Sequence, residues 1–131
     1  MAKLVHSMVR VLHEQTSIRF YEEAFGLQVK DRLDFDTFTL VYMVSEGSAF
    51  ELELTVNKDR TEPYDLGDGY GHIAFVVEDL EAARERTIKA GAEPRDIVDF
   101  RPGGERLARF FFVADPDGYQ VAVIEKGGRF T

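Results

Sequence analysis

Residues 6–26, HSMVRVLHEQTSIRFYEEAFG, and residues 72–91, HIAFVVEDLEAARERTIKAG, follow one pattern. Each opens on a histidine, runs through an apolar strand and enters a helical pattern that closes on glycine. Superposed, His6 falls on His72 and His13 on Asp79. A one-residue slip then brings Asp31, Asp34 and Phe35 onto Asp96, Asp99 and Phe100. Such a repeat constrains the fold more than composition does, because the chain must build one supersecondary unit twice.

The unit can be read element by element. Val5–Val11 is strand-like, and Gln15–Phe25 is a helix with Ile18, Tyr21 and Phe25 near one face and Gly26 as its stop. Three strands are expected next, near Leu27–Leu33, Thr37–Ser45 and Phe50–Asn57, with Glu46-Gly47-Ser48 as the turn before the last. The second copy gives a strand Tyr70–Val77, a helix Asp79–Ala90 capped by Asp79, and strands near Glu93–Phe100, Leu107–Val113 and Tyr119–Glu125. Asp115–Gly118 has proline second and glycine fourth, as a type I turn prefers. The expected fold is α+β: two βαβββ modules whose curved mixed sheets form a concave site. One domain spans 1–131, with module 1 about 1–57, a polar linker 58–68 and module 2 about 69–127.

Composition narrows the partners. The chain carries a net charge of −8 and no basic cluster, which argues against nucleic acid and anionic membranes. It has no cysteine, hence no disulfide framework and no thiol nucleophile. No stretch is apolar enough to span a membrane, and the start lacks a signal-peptide core, so a cytoplasmic location is expected.

Side chains alternate across a strand. His6, Met8 and Arg10 therefore share one face of the first strand, with Val5, Val9 and Val11 on the other. In Phe50–Asn57, the apolar Phe50, Leu52, Leu54 and Val56 oppose Glu51, Glu53, Thr55 and Asn57. In Tyr70–Val77, His72, Ala74 and Val76 oppose Ile73, Phe75 and Val77. In the last strand Gln120, Ala122 and Ile124 point away from the core. If each sheet curls around one concave side, His6, Glu53 and His72 converge there with Arg10 and Asn57. Two imidazoles and a carboxylate suit zinc, nickel, iron(II), cobalt or manganese. Aligning FELEL with YQVAV places Glu51 on Gln120 and Glu53 on Ala122. A symmetric site would hold two histidines and two carboxylates, and here one carboxylate is an alanine.

The stretches HSMVRV, SIRFYEEAFGL, ELELTVN, GYGHIAFVV and DPDGY resemble the glyoxalase I (lactoylglutathione lyase) family of the vicinal-oxygen-chelate superfamily. GYGHIA and the ELTxN pattern carry most of the specificity. The resemblance implies a homodimer with active sites between subunits. Each site would take the first strand and the ELELTVN strand from one chain, and the GYGH strand and last strand from the other. It implies His6, Glu53 and His72 as ligands of a divalent ion, nickel or zinc first. Arg10 and Asn57 would bind the substrate, the hemithioacetal of glutathione and methylglyoxal. The product would be S-lactoylglutathione. In the family the metal acts as a Lewis acid, and a carboxylate moves a proton between adjacent carbons.

The fourth family ligand, a glutamate that also serves as base, falls on Ala122. Glu53 is then the evident catalytic base. A water in the vacant position, or a compensating reach by Glu51 or Gln120, would complete the metal shell. Each compensator stands roughly 6–7 Å along its strand from the position to be filled. A loss worth ~4 kcal/mol would slow the reaction about a thousandfold. Two alternatives follow: another enzyme of the superfamily with a His-His-Glu site and a different substrate, or a non-catalytic homologue that binds a small molecule. His13 is expected at a helix start, the arginines of RPGGERLAR in a solvated loop, and Asp115 and Asp117 as turn formers.

Overall fold

The computed structural model describes residues 1–131. Module 1 comprises β1 (His6–Arg10), α1 (Glu14–Phe25), β2 (Gln28–Asp34), β3 (Phe38–Val44) and β4 (Glu51–Asn57). Module 2 comprises β5 (Ile73–Val77), α2 (Leu80–Lys89), β6 (Val98–Phe100), β7 (Ala108–Ala114) and β8 (Gln120–Glu125). Each module makes one four-stranded mixed sheet, ordered β1-β4-β3-β2 and β5-β8-β7-β6. In both, the first strand runs parallel to the last and the other pairings are antiparallel. The repeat in the sequence is therefore a repeat in topology, and the α+β, twice-βαβββ expectation holds.

Local chemistry explains the ends of the elements. Gly26 stops α1 in the left-handed conformation, φ 71°, and its N–H bonds the Glu22 carbonyl at 2.9 Å. Asp79 caps α2 by accepting from Ala82 N at 3.0 Å. Gly118 closes the Asp115 turn with φ 95°, donating to the Asp115 carbonyl at 2.9 Å.

The alternation in β3 is clean: Thr39, Val41 and Met43 are buried, while Phe38, Leu40, Tyr42 and Val44 lie half-buried on the other face. The buried set joins Val9, Val11, Ile18, Tyr21 and Leu54 with Leu80, Phe111, Val113, Val121 and Val123 in one core. Both modules contribute, so the core fuses them. Phe25 of α1 stacks on Phe75 of β5 with ring centroids 4.3 Å apart.

Polar bonds reinforce the junction. Tyr21 donates its hydroxyl to Asp115 Oδ2 at 2.7 Å, and Asp117 Oδ1 accepts from Leu12 N at 2.8 Å. Tyr119 donates its hydroxyl to the Arg10 carbonyl at 2.7 Å. The DPDGY turn is thus more than a turn: it fastens module 2 to both flanks of the β1–α1 connection.

Two expected strands are much shorter than their patterns. Pairing of β5 with β8 begins at Ile73 opposite Val121, so the run Tyr70–His72 precedes the ladder. Tyr70 instead donates its hydroxyl to the Gln120 carbonyl at 3.2 Å. The expected strand Glu93–Phe100 is reduced to Val98–Phe100. Pro94 has no N–H to give a ladder, and the side chain of Arg84 takes the carbonyls of Pro94 and Arg95. Val5 and Phe50, on the apolar sides of their strand patterns, are exposed.

Candidate metal and substrate site

The open face of the first sheet follows from the register. In the parallel β1–β4 pair, His6 lies opposite Glu51, Met8 opposite Glu53 and Arg10 opposite Thr55. In the antiparallel β3–β4 pair, Tyr42 lies opposite Glu53. These side chains share one face. His6 Nε2 stands 2.9 Å from Glu53 Oε1. Glu53 is only 7% exposed, so its carboxylate sits in a site that demands polar partners. The ring of Tyr42 meets the imidazole of His6 edge-on, centroids 5.9 Å apart. Burial first, then the charge and hydrogen bonding of Glu53, push the Tyr42 hydroxyl above the usual tyrosine range.

Arg10 is exposed and makes no ion pair. Asn57 donates its Nδ2 to Tyr64 Oη at 3.0 Å, which fixes the amide. Glu51 is engaged by Lys30 Nζ at 3.1 Å. That ion pair competes with any reach by Glu51 toward a metal.

The second sheet presents a different surface. His72 stands one residue before β5, and its ring meets Phe112 edge-on at 5.4 Å. Ala122 lies opposite Ala74 and Phe112, in the register that Glu53 holds opposite Met8 and Tyr42. A cavity of about 210 Å³ opens here. It is lined by His72 and Ala122 with Phe100, Phe110, Phe112 and Ile124 among its apolar walls. Gln120 has its backbone carbonyl held by Tyr70.

Within one chain His6, Glu53 and His72 do not come together. No third histidine, aspartate or glutamate joins His6 and Glu53 at metal-binding distance. The two sheets are separate, and each carries half of the expected donor set: His6 with Glu53 on one, His72 on the other. The donors present suit a borderline divalent ion, nitrogen and carboxylate oxygen in contact, and the set reaches three when the two halves are added.

The remaining candidates take other places. His13 takes the N-cap position of α1 with no side-chain bond. Arg101 and Arg106 pair with Asp99, and Arg109 pairs with Glu81 and Glu125. Sequence reasoning passed over Tyr42. Strand parity and the repeat both pointed to it, since Tyr42 and Phe112 occupy matching registers opposite Glu53 and Ala122.

Comparison with known proteins agrees with the architecture. The profile of the Glyoxalase/Bleomycin resistance protein/Dioxygenase superfamily matches residues 3–123. A lactoylglutathione lyase of Neisseria meningitidis is 39% identical over 129 residues, covering 95% of this chain and 91% of that protein. The structure of the trypanothione-dependent glyoxalase I of Leishmania major superposes with a TM-score of 0.75. It is 33% identical over 95% of this chain and 87% of its own. A glyoxalase I structure from Zea mays, the V278E mutant, gives a TM-score of 0.84 at 27% identity over 96% of this chain. This chain spans only 45% of the length of that maize protein. With the repeated βαβββ topology and identity sustained along nearly the whole sequence, the chain belongs to the glyoxalase I (lactoylglutathione lyase) family of the Glyoxalase/Bleomycin resistance protein/Dioxygenase superfamily.

Proposed function

We propose that this protein is a metal-dependent isomerase of the lactoylglutathione lyase type. Its substrate is the hemithioacetal of methylglyoxal with glutathione or a related small thiol, and its product the corresponding S-lactoyl thioester. The observation that carries the reading is the His6–Glu53 pair at 2.9 Å on the open face of a sheet whose sequence relatives are lactoylglutathione lyases. His6 and Glu53 of one chain, with His72 of a second copy, would hold a divalent ion such as nickel or zinc. When bound, that ion supplies Lewis-acid polarisation of the substrate's adjacent oxygens.

The chain's own groups do the rest. Glu53 is the base that takes the proton from C1 of the hemithioacetal and returns it at C2, which requires hydrogen-bond reach of both carbons. Arg10, exposed and unpaired, meets a carboxylate of the thiol with charge-assisted hydrogen bonds. Asn57, its Nδ2 anchored on Tyr64, offers its carbonyl to an amide N–H of the thiol. The apolar cavity beside Ala122 excludes water from the reacting carbons.

One observation favours a second reading. Ala122 and its phenyl surroundings supply neither ligand nor base, which suits a homologue that binds a small molecule without turning it over. One experiment separates the two: metal content of the purified protein, and isomerase rate on the methylglyoxal–glutathione adduct before and after adding nickel or zinc. Bound metal and a rate well above background support the isomerase. Metal without rate on this or related thiol adducts supports the binding homologue, and absence of both removes the metal site itself.

A further inference from the structure

The two modules control for one another at their histidines. In each, an imidazole meets the edge of an aromatic ring on the third strand of its module. His6 and Tyr42 lie 5.9 Å apart with planes at 70°, and His72 and Phe112 lie 5.4 Å apart at 79°. The rings occupy matching registers, Tyr42 opposite Glu53 and Phe112 opposite Ala122. A phenyl ring therefore suffices to hold the histidine. The hydroxyl occurs only in the module that keeps the carboxylate.

We propose that Tyr42 is a positioning residue for Glu53: its hydroxyl donates to the Glu53 carboxylate and holds it beside His6 in the orientation that binds the metal. The proposal rests on the metal-dependent reading given above. Its physical basis is donor supply. Glu53 is 7% exposed, and so buried a carboxylate needs hydrogen-bond donors. In the free chain His6 Nε2 lies 2.9 Å from it. An imidazole that ligates a metal through Nε2 cannot also donate from that nitrogen. Tyr42, directly across the ladder from Glu53 and edge-on to the same imidazole, carries the hydroxyl placed to take over as donor. With Ala122 in the other module, Glu53 is the sole carboxylate of the expected site, and its orientation alone sets the geometry of the oxygen donor.

The test is nickel affinity, measured by calorimetric titration of metal-free protein, for the parent, Tyr42→Phe, Glu53→Gln and the double variant. Tyr42→Phe keeps the ring against His6 and removes only the hydroxyl. Its affinity is expected to fall at least about tenfold, the usual effect of losing a partner that orients a ligand, with no change in the melting temperature of the metal-free protein. In the Glu53→Gln background the same change is expected to add nothing. A Glu53→Gln protein that takes up no nickel leaves the Tyr42→Phe comparison to decide. Unchanged affinity in Tyr42→Phe, or an equal loss in both backgrounds, overturns the proposal. A parent that takes up no nickel overturns the metal-dependent reading and this proposal with it, whereas a parent that binds beside an unaffected Tyr42→Phe overturns this proposal alone.

Discussion

Ala122 is 3% exposed, and its methyl group faces a cavity walled by Phe110, Phe112 and Ile124, with His72 its one polar member. Introducing a carboxylate there places a charge in apolar surroundings. Without metal, Ala122→Glu is expected to lower stability by roughly 1–3 kcal/mol, the ordinary penalty for a buried polar group without partners. With metal the sign reverses, because the new carboxylate gains a cation and binding to the native state alone raises stability. The variant should therefore show a lower melting temperature than the parent when metal-free, a larger rise on adding nickel, and a faster isomerase rate. A nickel-induced rise no greater than that of the parent would mean the residue at 122 does not face the metal. Glu53 gives the complementary expectation: Glu53→Gln keeps shape and burial but removes the proposed base, and the isomerase rate should fall by a factor on the order of 10²–10⁴. A rate within a few-fold of the parent would assign the proton transfer to another group.

The DPDGY turn shows what a local pattern can and cannot disclose. The proline and glycine give the turn, and the turn is there. Nothing in five residues discloses that Asp115 is buried and accepts from Tyr21, while Asp117 caps the Leu12 N–H. Those bonds join residues about a hundred positions apart, beyond the range of any window. The same limit shortened β5 and β6: strand character is local, but a strand also needs a partner, and Tyr70–His72 and Glu93–Ile97 lack a ladder. Face parity was legible for His6, Glu53 and Glu51 because alternation is local. Their separation from His72 was implied by the family resemblance and not by alternation, because it depends on how two sheets sit in one chain. The buried Asp115 also has a measurable consequence. Burial raises its carboxyl from 3.8 to about 6, although Tyr21 and the backbone N–H groups of Asp117 and Tyr119 oppose the rise. The native state then holds a proton that the unfolded chain has lost. This contribution is fully present below about pH 4 and disappears as pH climbs through 6. Asp115→Asn has no such dependence. The stability of Asp115→Asn minus that of the parent should rise by roughly 1–3 kcal/mol between pH 4 and 7 and level off above. Urea unfolding at several pH values measures it, and parallel pH profiles for the two proteins would show that the carboxyl titrates normally.

At the scale of the molecule, each chain carries two unlike clusters: a polar one with His6, Glu53 and Tyr42, and an apolar one with His72 and Ala122. Large apolar side chains are left in solvent beside them, including Met8, Val76, Phe100 and Leu107. Such a surface suits burial against another copy. A two-fold dimer would set each polar half against an apolar half and complete both sites at once. Complementation puts this arrangement to the test. His6→Ala keeps the apolar half-site, and His72→Ala keeps the polar one. Each variant alone lacks a complete donor set and should bind nickel poorly. Mixed and allowed to exchange subunits, half of the dimers are hybrids, and each hybrid has one site intact and one doubly damaged. Nickel binding should then recover to about a quarter of the parent's sites per chain. Recovery on mixing requires that His6 and His72 of one site come from different chains. If the metal were held within a single chain, both variants would stay defective at any ratio and the mixture would bind no more than the sum of its parts.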